Sequence, residues 1–529
     1  MGRVSAGLRR ASSTLSRVNA LLPKPPQLYA DRFAHTHEID PLISERWHNE
    51  TGLLVGVSAF NHVLSVRQSP KRRELGNILV DALTRGGKGL LAISQILTFK
   101  GSIVVLDIKG ELYEATADYR KTLGPVFVID PEAVGHQFDP LHGRTTERQL
   151  YAAAKYLLYE AGERDPIFIQ RGMKMLTQLF LAAREENRLA GYERYRLLPY
   201  AGQLMNLPIN QVAAHVHAIS SELVTKFLSG VYDPEKDYDE KKFLTSSWET
   251  ATNRLYPILS DELLRCFDGS DFTASELMLS PKPVTVYLRL PEADLEALSP
   301  VVRLFFQTII HDLITTYDKR PGRTAKEKGC YSVLLLLDEA GRVKIPHLYD
   351  YATTVVGRQI SLWVAIQSIK QLDVYGEANA ETLLDNMDTQ IFYRQRRSTA
   401  KYLEEELGRR SAYSHSQSTR EGGHETQGMS EQGVPIMTAN QIKQMGDSDI
   451  IVFHHNLPPF RARRMNWLEH LILRERQAKE PPKVSSLPPL TPLQLRSPLT
   501  PADDDDTLMN PDDSETSPTH PPEPSYARR

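Results

Sequence analysis

The chain has only two cysteines in 529 residues, Cys266 and Cys330. That excludes a disulfide framework, leaves no cysteine-built zinc site, and suits a reducing compartment. Long apolar runs are missing too. No stretch approaches the roughly 20 apolar residues that span a bilayer. The sequence therefore predicts a cytoplasmic chain without a transmembrane segment, at most peripheral at the inner face of the cell membrane. An excess of one charge is also lacking. The net charge of −3 is too near neutral to point by itself to a nucleic acid or a membrane. No internal repeat occurs. What is present is 41% hydrophobic and 24% charged residues, the ordinary balance of a globular protein. At roughly 100–200 residues per domain, the length predicts about two to five folded units.

The two ends differ from the middle. The first 30 residues carry Arg3, Arg9, Arg10, Arg17 and Lys24 without a single Asp or Glu. They are Ser-rich, like a transit peptide, and Val4, Leu8, Leu15, Val18 and Leu22 fall near helical spacing. Residues 1–28 are expected to be a poorly ordered basic segment, with membrane-surface contact as the alternative. From Pro481 onward the chain holds 12 of its 34 prolines and the acidic run Asp503 to Asp506. Proline removes backbone donors, and few apolar residues remain to offset ordering entropy, so residues 476–529 read as a disordered acidic tail. Arg409 to Gly433, rich in Ser, Gly, Gln and His, reads as a second loose segment. Its His415 and His424 lack metal-ligand spacing.

The informative region begins at Ile78. Ile78-Leu79-Val80 reads as a strand, Thr84-Arg85-Gly86-Gly87-Lys88-Gly89 as a Gly-rich turn, and Leu90 to Phe99 as a helix. Strand, glycine turn, lysine and helix make a phosphate-binding loop. Glycines let backbone N–H groups converge on phosphate oxygens, the helix N-terminus adds partial positive charge, and the lysine reaches the β and γ phosphates. Thr84, Arg85, Gly86, Gly87, Lys88, Gly89 and Leu90 are thus the expected ATP-binding stretch. Two positions depart from G-x-x-x-x-G-K-[ST]. Ala82 stands at the first glycine, and Gly89 at the hydroxyl that would ligate Mg²⁺ directly. A glycine turn without nucleotide is the alternative.

Mg²⁺ then needs a distant carboxylate, and one is at hand. Ser332 to Leu337 is uncharged and ends in Asp338-Glu339. A continuous apolar strand demands a parallel sheet covered on both faces, and open α/β sheets bind ligands at the carboxyl ends of their strands. Asp338 is expected to orient Mg²⁺ and Glu339 to polarise the attacking water. Leu362 to Ile366 is a further apolar strand, ending at Gln367, an amide placed to contact the γ-phosphate or the lytic water. Gly101 to Lys109, Val126 to Asp130 and Val284 to Leu288 add strands. Alternation with helical stretches predicts an α/β fold with a mainly parallel sheet and helices on both faces. Residues 144–272 lack strand-like runs and carry helical periodicity, as in Leu150, Ala153, Ala154, Leu157 and Leu158, so helices are expected there.

With these residues the chain resembles the TraG-type coupling ATPases of type IV secretion and conjugative DNA transfer, from about Tyr29 to Glu469. Thr84 to Gly89 is similar to that family's phosphate loop, in which glycine commonly follows the lysine. Val105-Leu106-Asp107-Ile108-Lys109-Gly110-Glu111 resembles its second-strand signature, and Phe138-Asp139-Pro140-Leu141 the segment leading out of it. Leu337-Asp338-Glu339 and Ala365-Ile366-Gln367-Ser368 are similar to its acid-pair and glutamine strands. Gln371-Leu372, Tyr375-Gly376, Thr399 to Leu403 and Leu457-Pro458-Pro459-Phe460-Arg461-Ala462-Arg463 continue the pattern in order. The resemblance implies a P-loop NTPase (RecA-like) motor that hydrolyses ATP with Mg²⁺ as a homo-oligomer, a hexameric ring when active. It also implies a motor domain of residues 29–143 and 273–475 interrupted by an all-α insert, residues 144–272, that reads single-stranded DNA, a bound relaxase or protein effectors, and delivery to type IV secretion channel components. In such rings one subunit's arginine completes its neighbour's site, and Arg358 is the candidate. Family members usually carry N-terminal transmembrane helices, for which the basic N-terminus offers membrane or partner docking instead. Lys71-Arg72-Arg73 and the Arg394 to Arg397 cluster offer a track for DNA phosphates, with solvated faces as the alternative. A non-hydrolysing nucleotide-binding receptor and a related DNA-translocating ring ATPase are the competing readings.

Overall fold

A computed structural model describes residues 29–68, 74–158, 166–419, 425–477 and 480–496. The expected basic segment 1–28 lies outside the described residues, as does Lys71-Arg72-Arg73. Fourteen strands occur among those described: β1 (Gly52–Val57), β2 (Val63–Arg67), β3 (Ile78–Asp81), β4 (Ser102–Asp107), β5 (Val126–Asp130), β6 (Val134–Gly135), β7 (Thr285–Arg289), β8 (Val333–Leu337), β9 (Ile360–Ile366), β10 (Thr389–Phe392), β11 (Arg409–Thr419), β12 (Glu425–Pro435), β13 (Asp449–His454) and β14 (Leu457–Arg463). Twelve of them form one sheet in the order β2-β1-β14-β13-β10-β3-β9-β8-β4-β7-β5-β6. Its centre, from β10 to β5, is parallel throughout. The fold class is therefore the expected α/β fold with a mainly parallel sheet.

Why the centre is parallel follows from its residues. Val333-Leu334-Leu335-Leu336-Leu337 and Ile360-Ser361-Leu362-Trp363-Val364-Ala365-Ile366 are buried along their whole length. Successive side chains of a strand point to opposite faces, so such runs need cover on both sides. Leu79, Leu335 and Val364 enter one core, while Val80, Leu336 and Trp363 enter the other. Helix α1 (Lys88–Thr98) covers the second face with Leu91, Ala92, Ile96 and Leu97. Its Gln95 is tied to β1 by accepting from the Leu54 N–H (2.7 Å) and donating to the Gly52 carbonyl (3.0 Å). Helix α2 (Glu111–Leu123) follows β4.

Every α-helix between β6 and residue 265 belongs to one all-helical stretch: α3 (Glu147–Leu158), α4 (Pro166–Ala190), α5 (Leu197–Met205), α6 (Ile209–Ile219), α7 (Ser221–Leu228), α8 (Lys242–Leu255) and α9 (Asp261–Arg265). Among the described residues no strand occurs between Glu147 and Arg265. The apolar face of these helices is continuous with the sheet's core, since Leu150, Phe180 and Trp248 share a cluster with Val286. Helix α10 (Ser299–Lys319) packs the same face through Phe305, Ile309 and Leu313.

Two expectations are corrected. The described parts of Arg409 to Gly433 are not loose: β11 and β12 pair antiparallel at eleven positions, from Arg409↔Pro435 to Thr419↔Glu425. The two segments are rich in Ser, Gly, Gln and His, so the alternation that announces a half-buried strand never occurs in the sequence. Residues 480–496 are also not a structureless tail. They run as an extended strap across the motor and the helices. Tyr113 donates its hydroxyl to the Pro482 carbonyl (2.9 Å), Gly135 its N–H to Ser485 (2.8 Å), and Leu487 its N–H to Ala133 (2.8 Å). Further on, Thr491 N–H donates to Asp268 (2.7 Å) and Leu493 N–H to Gln203 (3.0 Å), and Arg496 forks onto Glu186 at 2.6 and 2.8 Å. Prolines leave carbonyls free to accept, and the helices supply side-chain partners for them. Residues 497–529 lie outside the described part.

Candidate active site

Strand register brings the site together. Asp81 pairs with Ile366 and Leu337 with Val364, so β3, β8 and β9 end side by side, with the phosphate loop, the acid pair and Gln367 just beyond. The Ala82 N–H donates to Ile366 (3.0 Å) and the Ala340 N–H to Ala365 (3.0 Å), carrying the alignment into the turns.

The loop has the backbone of an anion cradle. Gly86 closes a tight turn by donating its N–H to the Leu83 carbonyl (2.7 Å). A Cβ there would lie 2.8 Å from that oxygen, so only glycine fits. Arg85 and Gly87 both take positive φ, 63° and 102°, the alternation that forms a concave nest of N–H groups. A Cβ on Gly89 would meet nothing within 4 Å, which leaves that side of the helix start open. Lys88 opens α1, and Leu90, within its first turn, donates its N–H to the Gly87 carbonyl (3.1 Å). Ala82, at the position of the missing glycine, is completely buried beneath the loop.

Lys88 Nζ contacts Glu339 Oε1 and lies 3.6 Å from Asp338 Oδ1. Gln367 Nε2 donates to Glu339 Oε2 (2.6 Å), and Thr84 Oγ1 donates to Gln367 Oε1 (3.0 Å). The side chains of Lys88, Glu339 and Asp338 are 13%, 8% and 19% exposed, so their charges meet where water screens little. Burial pushes the Asp338 carboxyl above the usual carboxylate range, against the pull of Lys88. Asp338 Oδ1 is buried with no hydrogen-bond partner, as a carboxylate oxygen shaped for a cation would be. The residues therefore fit a Mg²⁺–nucleotide. Glu339 sits at φ 64°, a left-handed conformation costing about 1–3 kcal/mol for a non-glycine residue. Its carbonyl accepts from the Arg342 N–H (2.9 Å), which holds that turn. Beside the pair, Asp107 at the end of β4 is pushed up to about 6 by burial, with Asp338 adding to the shift.

Thr84, Lys88, Asp338, Glu339 and Gln367 thus stand together. Arg358 does not join them. It precedes β9, at the other end of strands in which Ile360 pairs with Val333. A seven-residue strand separates it from the site by on the order of 20 Å. Its guanidinium forks onto Asp318 at 2.9 and 3.0 Å. One residue is missing from the sequence reading. Arg464, just past β14, donates Nη1 to the Gly86 carbonyl (2.9 Å). It follows directly on the Leu457 to Arg463 run, but no local pattern connects it with a loop some 380 positions earlier.

The family model for type IV secretory system conjugative DNA transfer matches residues 46–488. Among curated relatives, VirD4 of Rhizobium rhizogenes is 29% identical over 414 residues, covering 75% of this chain and 59% of its own. VirD4 of Agrobacterium fabrum is 28% identical, with the same coverage. The conjugal transfer protein TraG of Escherichia coli is 23% identical over 77% of this chain and 70% of its own. The chain thus spans about three fifths of the length of these VirD4 relatives. In fold it is similar to the bacterial conjugative coupling protein TrwB, at 15% identity and TM-score 0.59, over 84% of this chain and 95% of that structure. With 443 consecutive positions under the family model and the acid pair set against the phosphate loop, this chain belongs to the type IV secretory system conjugative DNA transfer family.

Proposed function

We propose that the chain is an ATP-hydrolysing coupling motor that recruits single-stranded DNA with bound relaxase, or protein effectors, and drives it to a type IV secretion channel. The convergence of Lys88, Asp338, Glu339 and Gln367 at one edge of the parallel sheet carries this reading. Structures of TrwB with ADP and Mg²⁺ and with a non-hydrolysable ATP analogue support nucleotide as the ligand. The names of the TraG relatives support conjugal transfer as the process.

The roles follow from the chemistry of each group. Loop N–H groups and the α1 N-terminus receive phosphate oxygens, and Lys88 swings from Glu339 to the terminal phosphates. Asp338 would hold Mg²⁺, which when bound neutralises charge on the phosphate oxygens. Glu339, released by Lys88, accepts a hydrogen bond from the attacking water and orients it. Gln367, already bonded to Glu339, fixes that carboxylate and the water's position. Little covalent work is asked of the protein, since phosphoryl transfer depends on positioning and electrostatics. Arg358 would serve only a neighbouring subunit's site in a hexameric ring, after leaving Asp318.

Lys88→Ala is expected to lower affinity for Mg-ATP at least about 100-fold, as loss of the charge-assisted phosphate contact implies. Glu339→Gln should keep binding and lose turnover by about 10²–10³-fold. Fluorescent-ATP titration and phosphate release, with and without single-stranded DNA, read both. Unchanged turnover in the two variants removes the motor assignment.

A further inference from the structure

The loop's outer side carries a contact that none of the groups above accounts for. In a phosphate cradle the N–H groups face the anion, so the loop's carbonyls face away and need partners of their own. Gly86 exposes such a carbonyl, and Arg464 fills the need by donating Nη1 at 2.9 Å. The guanidinium lies so close over the loop that a Cβ on Gly87 would stand 2.6 Å from Nη1 and 3.3 Å from Cδ and Cζ. Gly87 therefore serves two ends at once: its φ of 102° and its bare Cα both let the guanidinium lie against the loop.

Arg464 is itself fixed. Its N–H donates to the Ser448 carbonyl (2.7 Å), locking the residue to the stretch that precedes β13. No carboxylate pairs with its half-buried guanidinium among the described residues. An arginine without an acid partner keeps its full positive field for whatever anion the loop receives.

We infer that Arg464 is a positioning residue of the nucleotide site, holding the Gly86 peptide so that the loop's N–H groups face the phosphates and adding positive potential behind them. This rests on the nucleotide reading above. It acts through the loop and touches no reacting atom, so its loss changes binding more than chemistry. It also links nucleotide affinity to β13 and β14, the antiparallel side of the sheet, through one side chain.

The test pairs Arg464→Ala with Arg464→Lys and uses Lys88→Ala as a control, on the full chain. Dissociation constants for a fluorescent Mg-ATP analogue, KM, kcat and melting temperature without nucleotide are measured for each. Arg464→Ala is expected to raise the dissociation constant and KM about tenfold, in line with loss of a charged hydrogen bond, and to change kcat less than threefold. Arg464→Lys keeps the charge without the planar fork and should recover part of that loss. Melting temperatures should stay within about 2 °C of the parent, because the residue is half-exposed and makes one loop contact. Binding within twofold of the parent in Arg464→Ala, with Lys88→Ala still defective, overturns the positioning role and leaves the nucleotide site intact. Loss of binding matched by a fall in melting temperature in both arginine variants also overturns it, in favour of simple support of the fold. Unimpaired binding in Lys88→Ala removes the nucleotide reading itself, and this role with it.

Discussion

At the carboxyl edge of the sheet, side chains meet side chains: Lys88, Asp338, Glu339, Gln367 and Thr84 form one polar cluster drawn from three strand ends. On the helical face beneath residues 480–496, side chains meet main chain. Gln203 and Asp268 receive strap N–H groups, Tyr195 accepts from the Gln494 N–H (3.3 Å), and His215 Nδ1 accepts from the Arg496 N–H (2.9 Å). The first arrangement places charge where screening is weak, so one atom out of place changes reactivity far more than stability. The second satisfies backbone groups along an extended segment, so its value is structural and spread over many weak bonds. Substitutions at the edge should therefore separate chemistry from folding, and cuts in the strap should do the reverse.

The largest effect expected is at the edge. Gln367→Ala removes the amide that holds Glu339, and with it one contact to Thr84, while Lys88 and the loop's backbone N–H groups stay in place. Turnover should fall about 10²-fold with nucleotide affinity kept within threefold, on the scale of losing one preorganised hydrogen-bonding group. A parallel loss of binding and melting temperature would erase the contrast with the strap. Next comes the strap. Ending the chain after Glu480 deletes its contacts, and should lower the melting transition by about 3–6 °C while nucleotide affinity stays unchanged. Ending it after Arg496 keeps those contacts and should change neither. Equal effects of the two truncations would show that the strap bonds contribute nothing.

The smallest effect sharpens the comparison from within the sheet. Asp81, fully buried at the end of β3, accepts from Gln395 (2.7 Å) and Thr399 (3.4 Å), yet burial pushes its carboxyl up to about 7. A carboxyl raised in the folded state binds more protons folded than unfolded, so its contribution falls as pH rises from near 4 through about 7. Asp81→Asn removes that titration. The variant should melt higher than the parent at pH 8 and lose the advantage at pH 5. An advantage that does not vary with pH would place the burial cost elsewhere.

How much of this was legible depends on whether neighbours in space were also neighbours in sequence. Val333 to Leu337 ends in its own acids, and Leu362 to Ile366 in its own glutamine, so apolar runs announced both the strands and the chemistry at their tips. The β11–β12 pair lacked any apolar alternation and could not be read, because its stability lies in main-chain pairing that composition does not record. The strap is hidden from the sequence for a related reason. Prolines and few apolar residues describe a segment that cannot fold alone, but Arg265, Gln203 and Glu186 supply its partners from more than 200 positions away.

The sequence by itself determined the elements and their chemical endings: buried strands need cover on both faces, and a glycine turn before a lysine makes a nest for anions. Tertiary structure alone decided which endings stand side by side. Strand order sets β9 between β3 and β8, bringing Gln367 to Glu339, and leaves Arg358 across the sheet. It also folds β14 back so that Arg464 lies against Gly86. The physical reason is range. Burial and backbone preference act within a few residues and leave a local pattern, whereas hydrogen bonds and charge pairs form between whatever the sheet's topology makes adjacent.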